Sequence, residues 1–426
     1  MKSSKRKISL AVALVISGFG IASAAMAQSA PSLLGGGSTL VQPTIGSESA
    51  IFPTADGHIT YFGVGSGAGQ SAFLNNDSTQ FSAGLSATVN FANSDAPLSS
   101  AQISTYQAGR AKTDGALIQI PYIITPITIP LVNAPTGTGP ALPNSTTPTV
   151  ALNDADLCGI FSGAFTNWNQ VTNPDTGAAY PAGAIKVVYR SDNSGTSDLL
   201  TAHLAKVCPI PSGTAANPVT FVETQNFGGL FTTVPSNFTS ASGSGGVSAL
   251  LVSLRAAGTP AVGYLSPDWT NTSLAPSSAS AAADQLAVAS LRNSNATPAV
   301  DVVPTFANAT AAVGTINPPA NAALAANPAN WVPSASNPTT GYPISGTSQI
   351  IVSQCYANHG NTPSVAGSVV DFLTQHYSAA NATLLHNNGF DSVPTTFLTA
   401  ITNDFLTTTN ALGIGNTTKC GAIAGR

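Results

Sequence analysis

The chain has 426 residues, only 7% of them charged; four of its 13 Lys and Arg residues fall within Met1–Ala27, leaving nine against 17 Asp and Glu, a net charge of −8 beyond that point. Such an acidic chain is poorly suited to tracking nucleic acid or anionic lipid nonspecifically, and about 400 residues exceed the usual single core, so two domains are expected. The four cysteines (Cys158, Cys208, Cys355, Cys420) lack C-x-x-C spacing, which argues against zinc.

Met1–Ala27 carries the parts of an export signal: a basic start (Lys2, Lys5, Arg6, Lys7), an apolar run from Ile8 to Ile21, and the small-residue site Ala25-Met26-Ala27. The mature chain is expected to begin at Gln28, in the periplasm or outside the cell. The apolar run is shorter than the roughly 20 residues that span a bilayer. In an oxidising compartment the cysteines are expected in disulfides. Three pairings are open, the sequence-local one being the simplest, and a bridge closing a loop of about 50 residues contributes about 4 kcal/mol on the chain-entropy model.

Gly35-Gly36-Gly37-Ser38-Thr39-Leu40-Val41-Gln42-Pro43 reads as a flexible turn into a helix that Ser38 or Thr39 could cap. His58–Phe62 alternates as a strand, and Gly63-Val64-Gly65-Ser66-Gly67-Ala68-Gly69-Gln70 leads from it into a helix. Its glycines do not match G-x-G-x-x-G, and no P-loop lysine follows. Thr88–Ser99 is a strand ending in a polar loop whose one carboxylate is Asp95, a residue type that also caps helices after such loops. Ile118–Val132 is β-prone, yet Pro121, Pro126 and Pro130 suit an edge strand or a crossover between domains. Ala134–Asn153 reads as loop, and Leu157–Asn169 as a short helix with Trp168 as its packing aromatic.

Ile185, Val187 and Val188 form a strand, and Leu199, Leu200, His203, Leu204 and Val207 have helical spacing. Between them, Tyr189-Arg190-Ser191-Asp192-Asn193-Ser194-Gly195-Thr196-Ser197-Asp198 puts an arginine and a Ser/Gly/Thr turn at a helix N-terminus, where unpaired N–H groups attract oxyanions. A capped helix with a surface arginine is the plain structural alternative. Ser242–Leu254 is one more Gly-rich turn and helix, Gly263–Leu265 a strand, Ala281–Pro338 low-complexity peripheral structure with long loops, and Gly341–Ser353 a returning strand. Ser368–Tyr377 and Thr396–Thr407 read as closing helices.

Four times, near Thr39, Ser66, Asp95 and Thr196, a strand ends in a Gly/Ser/Asp-rich turn and a helix follows. Open α/β sheets bind ligands at the carboxyl ends of their strands. The four turns together offer hydroxyls, helix N-termini and one guanidinium to a single anion. Asp95 is the odd member: facing an anion it repels unless the ligand brings a proton, so the site should take hydrogen phosphate and reject sulfate. Asp192 is expected to steer the Arg190 guanidinium.

The motifs Gly-Gly-Ser-Thr, Gly-Ser-Gly, Ser-Asp-Ala-Pro-Leu-Ser and Arg-Ser-Asp-Asn-Ser-Gly-Thr-Ser occur in the order and spacing of the phosphate-binding component of the ABC phosphate importer. The chain more closely resembles the DING-type phosphate-binding proteins, through segments 35–43, 72–77, 157–163, 189–192, 330–333 and 353–357. Ser32-Leu33-Leu34-Gly35 replaces the Asp-Ile-Asn-Gly start of that group, and Leu40 stands where importer components often carry Phe. The resemblance implies an α/β, two-domain periplasmic-binding-protein fold of type II, each domain a mixed sheet flanked by helices, with phosphate in the interdomain cleft. Domain 1 would comprise residues 28–130 and 344–426, and domain 2 residues 131–343. The resemblance assigns ligand roles to Thr39, Leu40 (through its N–H), Ser66, Asp95, Arg190, Ser194, Gly195 and Thr196, and supports the pairs Cys158–Cys208 and Cys355–Cys420. It implies a monomer that binds inorganic phosphate without cofactor, metal or nucleic acid, with an ABC phosphate transporter as a candidate partner.

The rival activity is a secreted phosphatase, since DING-like chains have been associated with ester hydrolysis. No G-x-S-x-G or H-E-x-x-H occurs, and the five histidines (His58, His203, His359, His376, His386) have no metal spacing. His203, on the apolar side of its helix, is expected to be packed. An adhesive surface protein would suit the Ser/Thr/Asn composition but leaves the four turns unexplained.

Overall fold

The computed structural model describes residues 29–314, 316–333 and 335–426, so the export signal expected at Met1–Ala27 lies outside the described residues. Stretches dense in Leu, Ile, Val, Phe and Tyr fit a pleated, buried surface, and they form two five-stranded mixed sheets. The first is ordered His58–Gly63, Ser32–Gly37, Phe91–Ser94, Ser345–Ser353, Leu117–Pro126. Its first three strands are parallel, and Ser345–Ser353 runs antiparallel to both neighbours. The second is ordered Phe238–Ala241, Lys186–Arg190, Ala261–Val262, Pro130–Val132, Ala287–Val288. Its first three strands are again parallel, and each of the last two opposes the strand before it. Helices that follow the strands cover the sheets: Ser66–Asn75 packs on Ser32–Gly37 and Phe91–Ser94, and Gly243–Ala256 on Lys186–Arg190 and Pro130–Val132.

The chain leaves the first sheet at Pro126, enters the second at Pro130, and returns to the first at Ser345. Leu117–Pro126 is buried along its whole length and lies at a sheet edge, where Pro121 and Pro126 cost least. Its register against Ser345–Ser353 slips where Ile123 pairs with Ser348 and Pro121 with Gln349, leaving Tyr122 as the extra residue of a bulge.

Tyr122 anchors a buried polar cluster beneath the first sheet. Its ring stacks on His376 with centroids 3.6 Å apart, and its hydroxyl donates to Glu48 Oε2. Asn381 Nδ2 donates to Glu48 Oε1 at 2.6 Å, and His376 Nδ1 lies 2.6 Å from the same oxygen. Glu48 is fully buried, so these partners take the place of its hydration.

Several segments differ from expectation. Ala134–Asn153, read as loop, holds the paired strands Gly139–Ala141 and Pro148–Thr149 and the strand Ala151–Leu152. The strand expected at Gly263–Leu265 is Ala261–Val262, and Tyr264 instead turns its hydroxyl toward Arg190, accepting the Arg190 N–H at 2.9 Å. Ala281–Pro338, read as peripheral, supplies the edge strand Ala287–Val288 and two strands of a three-stranded sheet, Ser290–Asn293 and Val300–Val302. Helix Phe306–Val313 and turn Pro328–Trp331 pack against the first sheet rather than the second, and Trp331 seats against Phe397 and Phe405. Small Ala and Asn side chains allow this close packing while hiding any apolar period.

Two disulfides are present, Cys158–Cys208 and Cys355–Cys420. The first joins helix Asp154–Phe161 to the far end of helix Gly195–Val207.

Removing one partner of a buried polar cluster strands the others. Glu48→Ala is expected to lower unfolding free energy by about 3–5 kcal/mol, measured as a reduced urea midpoint at unchanged m-value. A midpoint equal to the parent's would contradict this account of the cluster.

Candidate functional site

The parallel strands of both sheets end at one place. From the first sheet come Ser38 and Thr39 after Gly37, Ser66 after Gly63, and Asp95 after Ser94; from the second come Arg190 with the turn after it, and Ser244 after Ala241. Ser38, Thr39, Leu40, Ser66, Asp95, Arg190, Ser194 and Thr196 are each at most 5% exposed (Thr39 the highest).

Asp95 is the hub. Its Oδ1 accepts from Ser38 Oγ at 2.7 Å and from Ser348 Oγ at 2.8 Å, and its Oδ2 accepts from Thr196 Oγ1 of the other half at 3.5 Å. The Asp95 N–H donates to Ser66 Oγ at 3.2 Å. Burial pushes the Asp95 carboxyl above the usual carboxylate range, while Ser38, Ser348, the Arg190 charge and Thr196 pull it back.

Arg190 ends its strand with a buried guanidinium. Its Nε donates to Asp192 Oδ1 at 2.8 Å and its Nη2 to Asp192 Oδ2, while Nη1 lies 3.4 Å from Ser244 Oγ. Asp192 thus holds two of the guanidinium nitrogens, and the Gly243 N–H donates to its Oδ1 at 2.9 Å. Burial opposes the Asp192 charge, but Arg190 and Gly243 outweigh it and hold the carboxyl below its ordinary value. This leaves Nη1 as the guanidinium corner not committed to Asp192.

Ser194 is the N-cap of helix Gly195–Val207, its Oγ accepting from the Ser197 N–H at 3.3 Å. The cap and the anion reading coexist: an accepting hydroxyl keeps its own proton to donate, and the Gly195 and Thr196 N–H groups of the first turn have no intrahelical acceptor. Gly195 has no room for a side chain. A Cβ there would sit 2.6 Å from Asp95 Cβ, Ala96 N and Ser66 Oγ, all from the opposite half. Gly65, at φ +93°, likewise leaves space that Asp192 Oδ2 fills.

Contacts between the halves surround this hub. Thr39 Oγ1 lies 2.8 Å from Ser244 Oγ and accepts the Ser244 N–H at 3.0 Å, and the Trp269 indole donates to the Thr39 carbonyl at 3.0 Å. The Gly67 N–H donates to Asn193 O at 3.0 Å, and Gln225 Nε2 to Gln70 Oε1 at 3.2 Å.

The structure brings together Thr39, Ser66, Asp95, Arg190, Ser194, Gly195 and Thr196, with Asp192 behind Arg190. Leu40 keeps its side chain in the core and gives its N–H to Ser38 Oγ at 3.1 Å. Neither Ser38 nor Thr39 caps helix Gln42–Ile51, whose N-cap is Val41. Asp95 is free of capping too, because Ser99 and Gln102 form a capping box for the next helix. His203 is packed, with Nδ1 2.8 Å from Ser336 O and Nε2 3.2 Å from Asp154 Oδ1. Sequence reasoning missed Ser244, although Ser242–Gly246 repeats the same turn-to-helix pattern; it also missed Ser348, Tyr264 and Trp269, which carry no local signal.

Residues 22–376 match the model of the PBP superfamily domain. The chain is 36% identical to alkaline phosphatase L of Pseudomonas aeruginosa strain UCBPP-PA14, over 96% of this chain and 98% of that one. It is 35% identical to a phosphate-binding protein of an unknown prokaryotic organism, over 91% of this chain and 97% of that one. Among solved structures it is similar to the high-affinity periplasmic phosphate-binding protein PfluDING bound with phosphate, with a TM-score of 0.73 and 37% identity over 93% of this chain and 99% of that one. Its superfamily and its two disulfides are those of an exported protein. The chain belongs to the PBP superfamily and, within it, to the DING-type phosphate-binding proteins.

Proposed function

We propose that this protein captures inorganic phosphate, as hydrogen phosphate, between its two halves. One observation carries the reading: a buried carboxylate, Asp95, is ringed by donors from both sheets, with a preoriented guanidinium beside it. Thr39, Ser66, Ser194, Gly195, Thr196 and Arg190 would donate to the ligand, the Leu40 N–H would exchange Ser38 Oγ for it, and Asp95 would accept a hydrogen bond from its proton. Residues 28–130 and 344–426 would act as one domain and 131–343 as the other, with 306–343 docked on the first. Residues 1–27 would be removed on export, and the loaded protein would hand phosphate to an ABC transporter or retain it as a scavenger.

A second reading, phosphate-ester hydrolysis, is favoured by the relative named alkaline phosphatase L. The same cleft would then hold the phosphoryl group. Turnover that disappears with Arg190→Ala would assign hydrolysis to this cleft, and turnover that survives the change would place it elsewhere.

Calorimetry on protein stripped of ligand by unfolding and refolding is expected to give strong heat with phosphate and little with sulfate at pH 8. Arg190→Ala should weaken phosphate roughly 10- to 150-fold, since a charge-assisted donor contributes roughly 1.5–3 kcal/mol. No heat with phosphate from the parent protein would sink the proposal.

Selectivity should depend on pH with a definite sign. The raised Asp95 carboxyl gains a proton as pH falls and then donates rather than repels, so sulfate binding should strengthen toward acid. Asp95→Asn should bind sulfate with no such trend. Equal discrimination by parent and variant at every pH would remove Asp95 from the selectivity mechanism.

Gly195→Ala should keep the halves apart. The expected result is at least ~10-fold weaker phosphate binding, with a radius of gyration that no longer shrinks when phosphate is added. Unchanged compaction by small-angle scattering would refute the close-approach argument.

A further inference from the structure

Behind Asp95, on the side of the crossing strand, lies a cavity of ≈ 80 Å³. Asp95 and Pro97 close it from the first half, Asp198 and Glu223 from the second, and Ser345 and Thr347 from the crossing strand. Asp198 sits in the first turn of helix Gly195–Val207, directly after Ser197 and two residues beyond Thr196. It is 7% exposed, and its Oδ2 has no hydrogen-bond partner among the described residues. Its titratable neighbours are Glu223, which lines the same cavity, and Asp95 on the opposite wall. No Lys, Arg or His lines this space among the described residues. Glu223 is exposed and gives the pair a path to solvent.

Carboxyl groups that line one small cavity, with no cation lining it, cannot all ionise cheaply. An aspartate in a helix first turn ordinarily favours the charged form through the helix dipole. Here the same N–H groups face the proposed anion, so a charged Asp198 would compete with phosphate for one dipole.

We propose that Asp198, walled in with Glu223 and Asp95 and without a cation, keeps its proton and thereby sets the strength of phosphate capture: with the proton it adds no charge beside the site, and without it a negative charge stands beside the bound dianion. This rests on the phosphate reading above and extends it to a residue pair that makes no contact with the ligand. Burial first, then Glu223 and Asp95, push the Asp198 carboxyl up to about 8. The sign follows: Asp198 is neutral at pH 7, ionises as pH rises through about 8, and weakens phosphate from there upward. Binding of a dianion above that point draws the proton back.

The test is calorimetry with phosphate between pH 6 and 9.5 on the parent, Asp198→Asn and Glu223→Gln. The ratio of parent to Asp198→Asn Kd cancels the titration of phosphate itself. It should be flat below pH 7 and climb toward about tenfold per pH unit above the break. In Glu223→Gln the break should move to lower pH. At pH 8.5, repeating the titration in buffers of different ionisation enthalpy should reveal proton uptake by the parent and less by Asp198→Asn. A merely structural Asp198 would shift affinity equally at all pH values, and that parallel profile overturns the proposal. Should Asp198→Asn fail to fold, an unmoved break in Glu223→Gln, or no proton uptake by the parent, overturns it equally. A parent protein that binds no phosphate defeats the functional reading itself, an outcome distinct from parallel profiles.

Discussion

The structure depends on keeping Asp95 buried without a cation of its own. Arg190 is nearby, but Asp192 has already claimed two of its nitrogens. Asp95 is therefore tolerated through hydroxyls: Ser38 from the turn after Gly37, Ser348 from the returning strand, and Thr196 from the opposite half. An unsolvated carboxylate is costly unless its oxygens are satisfied, so each of three chain segments, far apart in sequence, must arrive in register. The slip between Ser348 and Gln349 fits this demand, because it alters the pairing beside the serine that faces Asp95.

The global charge works against the proposed ligand. With only nine Lys and Arg left beyond Ala27 among the 13 of the whole chain, the long-range field repels anions and offers no steering. Recognition then falls to short-range donors in a site that excludes water, where hydrogen bonds to a charged group are strongest. This division suits selectivity. A positive surface would attract sulfate and phosphate alike, whereas the proposed hydroxyl cage around one acceptor would read the proton that separates them.

Much of this was legible in the sequence for a local reason. Gly37, Gly65 and Gly195 punctuate strand ends, so the turns that bear Thr39, Ser66 and Thr196 advertise themselves, and Arg190 stands out in a chain poor in arginine. Ser348, Tyr264 and Trp269 did not, because their roles exist only after strands from distant segments pair. Ser244 was within reach, since its turn repeats the pattern of the others; it was passed over because the first-half partner it meets, Thr39, lies 205 residues away. The stretch from Ala281 to Pro338 was misread for the opposite reason. Its Ala and Asn residues look featureless to any periodicity argument, yet Ala309 and Val313 pack beside Ile124. Asp198 was visible only as the tail of a motif, and nothing local indicated the Glu223 that meets it.

The two crossings between sheets are stitched to each other. Ser345 pairs with Pro126 at the end of the antiparallel ladder, and just beyond it the Ile127 N–H donates to Ile344 O at 2.8 Å. Linkers joined in this way can bend together but cannot slide past one another, as two independent tethers could. Such a tie resists sliding of one half past the other and leaves bending at the tie as the easiest relative displacement. A displacement of that kind would break the Thr39–Ser244, Gly67–Asn193 and Gln70–Gln225 contacts together, so that opening would be one event rather than three.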